Sequence, residues 1–247
     1  MRRLFRRQIW PEGGADPSGG LPDVSPETRG VIERVRPYTM TSLERIAALC
    51  DAVEYVVRYG VPGDFVECGV WRGGSSMAAA LTLLRMGITD ARLYLFDTFA
   101  GMSEPTAYDT EIATGKSAAA LLARSDPKEG LAWAYAAIDD VRENMAATGY
   151  PPENMHLIAG KVEDTLPQRA PERICLLRLD TDWYESTRHE LTHLFPRLAV
   201  GGVLIVDDYG HWAGARRAVD EYFAAHNIRM LLNRIDYTGR IGVKLDP

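Results

Sequence analysis

Short apolar runs alternate with stretches whose apolar positions recur every three or four residues. The first clear helical pattern carries Leu43, Ile46, Ala47, Leu49, Val53, Val56 and Val57. Thr41 or Ser42 can cap it, with Glu44 in its first turn, and Gly60 and Pro62 end it. Phe65 to Val70 then reads as a buried strand, followed by a Gly-rich turn and a helix over Ser75 to Met86. Leu93 to Phe96 is a second strand ending at Asp97. Residues Leu131 to Thr148 look helical, and Met155 to Ala159 is a third strand. Ile174 to Leu179 is a fourth strand ending at Asp180, with a helix over Tyr184 to Leu198 behind it. Gly202 to Val206 is a fifth strand ending at Asp207 and Asp208, and a helix follows over roughly Ala213 to His226. Two short strands close the chain, near Arg229 to Asn233 and Arg240 to Leu245.

Strands alternating with helices predict an α/β fold, a doubly wound and mostly parallel seven-stranded sheet of Rossmann-like type. The last two strands lack a long helix between them, so an antiparallel hairpin pair at the sheet edge is expected. Residues 99–130 have no counterpart in a minimal strand–helix–strand unit. An insertion of that length behind a strand's carboxyl end is expected to act as a lid or substrate loop. Pro11 to Pro26 is rich in Gly, Pro, Asp and Ser, which cannot bury enough apolar surface to offset ordering entropy. The expected organisation is a flexible leader over 1–37 and a single domain over 38–247.

Composition narrows the function. The chain has 247 residues, 46% of them hydrophobic, enough for one sizeable core. A net charge of −6 gives no nucleic-acid surface. No apolar run approaches 18 residues, so no membrane span is expected. Arg2, Arg3, Arg6 and Arg7 are not followed by an apolar stretch, which does not read as a secretory signal. Cys50, Cys68 and Cys175 are odd in number and sit in apolar segments, pointing to buried thiols in a reducing cytoplasm.

In open α/β sheets, ligands bind beyond the carboxyl ends of the strands, so the residues ending each strand carry the chemistry. Glu67-Cys-Gly-Val-Trp-Arg-Gly-Gly-Ser-Ser76 offers a tight turn and a helix N-terminus with free N–H groups. It lacks the G-x-G-x-x-G spacing and has no phosphate-binding Lys-Ser/Thr pair, which counts against NAD and ATP. Asp97 lies 28 residues after Gly69, where a carboxylate can accept both hydroxyls of a ribose or, alternatively, cap a turn. Gly160 to Asp164 would pack beside a base, or is an ordinary polar turn.

Asp180 ends one strand and Asp207-Asp208 another. If these strands are parallel neighbours, their tips lie about 5 Å apart. Carboxylates that close repel unless a hard divalent cation compensates, and Mg²⁺ favours such an oxygen set; no Cys/His spacing suggests zinc. The competing reading is that one of the three merely caps a helix or forms a salt bridge. A metal there would polarise a substrate hydroxyl for attack on a methyl sulfonium, and a base must take the proton. Asp180 is the first candidate and Asp182 the second, with His211 and His189 weaker.

Together, Phe65-Val-Glu-Cys-Gly-Val-Trp-Arg-Gly-Gly-Ser75, Phe96-Asp-Thr-Phe-Ala-Gly-Met102, Leu179-Asp-Thr-Asp-Trp-Tyr184, Gly201-Gly-Val-Leu-Ile-Val-Asp-Asp-Tyr209 and Trp212-Ala-Gly-Ala-Arg-Arg-Ala-Val-Asp220 resemble the macrocin O-methyltransferase family. That family acts on sugars of macrolide and related antibiotics. The resemblance runs from about Tyr38 to Lys244. It implies a class I S-adenosylmethionine-dependent fold with Mg²⁺. Glu67 and Gly69 would hold the methionine part, with Ser75 in the same motif. Asp97 would bind the ribose, and Val162 and Glu163 would lie by the adenine. Thr39 and Met40 match a segment that closes over the cofactor. Asp180, Asp207 and Asp208 would hold the metal, and the 99–130 insert would face the acceptor. A homo-oligomer is also implied. The acceptor stays open between a glycoside and a catechol-like phenol. Two further alternatives are a catalytically silent S-adenosylmethionine-binding protein and a Rossmann oxidoreductase.

Overall fold

Strand β1 (Asp64–Cys68) is buried along its whole length, and this is where the sheet is organised. A computed structural model describes residues 21–128 and 131–246. Seven strands form one sheet in the order β3-β2-β1-β4-β5-β7-β6. These are β1, β2 (Leu93–Asp97), β3 (Met155–Ala159), β4 (Ile174–Leu179), β5 (Leu198–Val206), β6 (Asn233–Arg234) and β7 (Arg240–Val243). The first five pair in parallel, and β5–β7 and β7–β6 pair antiparallel. Strand order reverses on either side of β1, which puts a topological switch point at its carboxyl end.

Side chains of each strand alternate between two apolar layers. Phe65, Leu93, Leu95, Leu176, Val203 and Ile205 join the layer of α1 (Pro26–Val35), α2 (Leu43–Arg58) and α3 (Gly74–Arg85). Val66, Cys68, Phe96, Leu177, Leu179, Leu204 and Val206 face the other layer, which holds α7 (Tyr184–Leu194) and α8 (Ala213–Ala225). Three shorter helices complete the set: α4 (Ala118–Leu122), α5 (Ile138–Ala146) and α6 (Val162–Thr165). Among the described residues no helix is long and apolar enough to cross a membrane.

Several elements differ from the sequence expectation. The leader expected through residue 37 instead holds α1, capped by Ser25 and started by Pro26, with Val31, Ile32 and Val35 buried against the core. The part of the leader before residue 21 lies outside the described residues. The helix expected over 131–148 is split: Ala134 takes a left-handed φ of 44°, and α5 starts only at Ile138. The helix expected to reach Leu198 ends at Leu194, because Pro196 lies in a tighter turn over Phe195–Arg197. The fifth strand starts at Leu198, four residues early.

The insert is anchored to the body rather than loose. Thr110 and Glu111 bridge to Ser117 and Trp212, and Ala213 N–H donates to the Thr110 carbonyl at 2.9 Å. Asp109, fully buried, accepts from the Tyr184 backbone N–H at 2.7 Å. It therefore caps α7, whose own flanking residue Trp183 offers no capping oxygen. Under the insert, Ala118, Leu122, Trp183, Trp212 and Ala215 form a small apolar cluster.

Candidate active site

The parallel register sets Cys68, Phe96, Leu179 and Val206 side by side. The next residue of each strand therefore stands in one row across the sheet's carboxyl edge: Asp97, Gly69, Asp180, Asp207. Backbone bonds hold the row, from Gly69 N–H to Phe96 O and from Asp180 N–H to Cys68 O, both 2.8 Å, and from Asp207 N–H to Leu179 O, 2.9 Å. Gly69 is required here. Its φ is +82°, and a Cβ would lie 1.9 Å from the Asp180 carbonyl oxygen. Gly74 answers a second close approach, since a Cβ there would meet the Tyr38 carbonyl oxygen at 2.5 Å.

Two cavities open at this edge. The first is lined by Gly69, Asp97, Val162 and Glu163, with Phe96 and Met102 among its apolar walls. The second, larger at about 360 Å³ against about 120 Å³, is lined by Arg45, Asp207, Asp208, His211, Trp212 and Tyr237 on one side. Ala118, Leu121 and Leu122 of the insert line its other side. Met40, Trp71, Ala134, Asp180 and Asp182 border both cavities.

In the first cavity, Asp97 shapes the Gly-rich turn. One of its oxygens accepts from Val70 N–H at 2.6 Å and Trp71 N–H at 3.0 Å, and the other from Phe99 N–H at 2.7 Å. Burial raises its carboxyl above the usual range, and these bonds oppose the rise. The turn-capping alternative is thus realised, on a residue that also faces the cavity. Glu67 does not line this cavity. It is buried below the edge, bonded to Ser76 and to Arg178, and burial raises its carboxyl. Thr39 and Ser75 border the second cavity, so the motif serine touching Glu67 is Ser76.

The acidic cluster assembles as expected. One carboxylate oxygen from each of Asp180, Asp207 and Asp208 lies within 4.8 Å of the others. Burial is the largest influence raising the carboxyls of Asp180 and Asp208 far above the usual range. Asp182 shares a hydrogen bond with Asp208, and burial pushes it up to about 7. Its backbone is left-handed, at φ +67°, an uncommon conformation for a non-glycine residue. The Oδ2 atom of Asp208 is buried without a hydrogen-bond partner among the described residues. Such an orphan acceptor is costly unless a ligand meets it. Three acidic oxygens this close, beside an orphan acceptor on Asp208, fit a hard divalent cation.

Two arginines complete the cluster, and the sequence reading passed over both. Arg178, 3% exposed and next to last in β4, donates to Glu67 and Asp180 at 2.7 Å and to Asp207 at 2.6 Å. It also reaches Thr41 at 3.2 Å. Arg45 of α2 donates to Asp207 Oδ2 and, at 3.0 Å, to Asp236. Around these two guanidiniums stand the six carboxyl groups of Glu67, Asp180, Asp182, Asp207, Asp208 and Asp236, so acidic groups outnumber basic ones. A signal for Arg178 existed, since a charge inside an apolar strand must find partners when buried. His211 borders the second cavity, 3.5 Å from the Tyr237 hydroxyl. His189 borders neither cavity; its ring packs on His193.

The sequence profile of the macrocin O-methyltransferase (TylF) family matches residues 29–242. An 8-demethyl-8-(2,3-dimethoxy-alpha-L-rhamnosyl)-tetracenomycin-C 4'-O-methyltransferase of Streptomyces olivaceus is 36% identical over 220 residues, covering 89% of this chain and 80% of that protein. Mycinamicin III 3''-O-methyltransferase of Micromonospora griseorubida is 34% identical over 202 residues, covering 82% of this chain and 76% of that one. Among solved structures, the O-methyltransferase NovP superposes with a TM-score of 0.74 at 32% identity, covering 85% of this chain and 83% of that chain.

Proposed function

The chain belongs to the macrocin O-methyltransferase family and is an O-methyltransferase, and from that premise we propose that it methylates a sugar hydroxyl of a glycosylated natural product with S-adenosylmethionine and Mg²⁺. The observation carrying this reading is the meeting of two cavities at Asp180 and Asp182. The relatives named above carry rhamnosyl and mycinamicin acceptors in their names, which favours a glycoside over a phenol.

In this reading the first cavity takes the donor. Asp97 accepts from the ribose hydroxyls while keeping the Gly-rich turn in shape. Val162 and Glu163 flank the adenine, and Met40 closes over the sulfonium. Glu67, fixed by Ser76 and Arg178, backs the methionine end from below.

Asp180, Asp207 and Asp208 would hold Mg²⁺, which when bound supplies a Lewis acid that lowers the acceptor hydroxyl's pKa and fixes its oxygen. Asp182 takes the proton. It borders both cavities and its carboxyl sits near neutrality, where a base is half-ready at working pH. Asp180 is the less suitable base, because its Oδ2 is committed to Arg178. The methyl group then passes from sulfur to oxygen, leaving S-adenosylhomocysteine. Leu121, Leu122 and Trp212 keep the acceptor side apolar and exclude water.

The test is methyl transfer from labelled S-adenosylmethionine to a panel of glycosides and catechols, with Mg²⁺ and with EDTA. Glycoside methylation lost with EDTA supports the proposal. Catechol methylation alone supports the phenol alternative, and no transfer to any acceptor leaves the silent binding protein standing.

A further inference from the structure

Both carboxylate oxygens of Asp207 are already taken. Oδ1 accepts from Arg178 at 2.6 Å, and Oδ2 accepts from Arg45. A cation joining this residue to Asp180 and Asp208 must therefore displace a guanidinium or share an oxygen with one. The two arginines are not equal in this respect. Arg178 is buried and spread over Glu67, Asp180, Asp207 and Thr41, so moving it would strip partners from three carboxylates. Arg45 borders the acceptor cavity. Its Nε is held on Asp236 Oδ2 at 3.0 Å, and that carboxylate is itself fixed by Ser42 Oγ at 2.8 Å and by the N–H groups of Thr238 and Gly239 at 2.9 and 2.7 Å. Arg45 can give up Asp207 and keep its charge paired on Asp236.

We propose that Arg45 is a displaceable counter-cation. Without metal it neutralises Asp207; once a metal ion takes that carboxylate, its released Nη1 edge donates to an oxygen of the acceptor, next to the hydroxyl being methylated. The acceptor class that such a planar pair of donors suits is a vicinal diol or alkoxy-alcohol, as on a sugar ring. Metal binding then creates the acceptor site as well as the activated oxygen, which sets the order metal before acceptor. This inference rests on the metal reading given above.

The experiment titrates Mn²⁺ alone into the full chain, followed by electron paramagnetic resonance of free Mn²⁺, with no acceptor present. In R45Q and R45M a competing cation is gone, so Mn²⁺ should bind about tenfold more tightly than in the wild type. R45K keeps the charge and should stay within about twofold. With Mg²⁺ saturating, R45Q should raise the acceptor KM about tenfold while the donor KM stays within about twofold. A merely structural role for Arg45 predicts the opposite sign, weaker Mn²⁺ binding along with a lower melting temperature. Equal or weaker Mn²⁺ binding in both R45Q and R45M overturns the proposal, as does an unchanged acceptor KM. If the wild type takes up no Mn²⁺ at all, the metal reading falls and this inference with it; tight wild-type binding with no gain in the variants sinks this inference alone.

Discussion

Gly69 and Asp180 touch backbone to backbone, so closely that a methyl group on Gly69 would overlap the Asp180 carbonyl. The tips of β1 and β4 can therefore be drawn together only with glycine at position 69. Gly69→Ala forces a left-handed alanine and parts the two strand ends. A loss of at least about 2 kcal/mol in urea unfolding is expected. Transfer activity should fall further than stability accounts for, because Asp180 moves with its strand. A stable, fully active variant contradicts this.

Replacing Asp208 with Asn keeps the shape and removes one acidic ligand. Turnover with Mg²⁺ should drop about 100-fold. The residual rate should no longer respond to EDTA. Isothermal titration with Mn²⁺ reads the lost site directly, and unchanged metal binding in this variant removes Asp208 from the ligand set.

Asp182 gives a pH signature. A base works in its ionised form, so the rate rises as pH climbs through its pKa. Burial places that value at about 7 in the protein alone. A cation on the neighbouring aspartates favours the ionised form, so with Mg²⁺ the midpoint of kcat/KM should lie below that value. Asp182→Asn should abolish the rising limb. If the limb survives in that variant, another residue takes the proton.

Glu190 lies buried in α7 with its Oε2 unpartnered among the described residues, and desolvation raises its carboxyl well above the usual value. A raised carboxyl binds its proton more tightly folded than unfolded. The cost to stability is absent below the ordinary value of 4.5 and grows as pH rises above it. Glu190→Gln should accordingly be stabilising at pH 8, by about 1 kcal/mol or more, and close to neutral at pH 4.5. Thermal melts at the two pH values decide. A gain of the same size at both assigns the effect to packing rather than charge.

The sheet and its acidic edge were legible for one physical reason. A strand buried on both faces must be apolar, and it must stop being apolar where it reaches the ligand edge. Asp97, Asp180 and Asp207 are the places where the runs break. What escaped was pairing across elements. Nothing in the periodicity of α2 or β4 tells that Arg45 and Arg178 converge on Asp207 from a helix and a strand, although a lone arginine in Ile174-Cys-Leu-Leu-Arg-Leu179 asks for a partner. The leader misled because low apolar content hid Ser25-Pro26-Glu27, a helix start with its cap, its first-turn proline and its acidic residue. The helix expected over 131–148 failed at Ala134, whose left-handed backbone leaves no trace in composition.

Asp109 has a consequence for recombining this protein with its relatives. It belongs to the insert, yet it supplies the hydrogen bond that starts α7, two residues beyond Asp182. The insert's wall of the larger cavity and the start of α7 behind Asp182 are therefore spliced through one carboxylate. A chimera that swaps residues 99–130 to alter acceptor choice inherits a sound reaction centre only if the imported segment brings its own acid to that spot. Transplants lacking it would lose turnover for reasons unrelated to how well the new wall suits its guest.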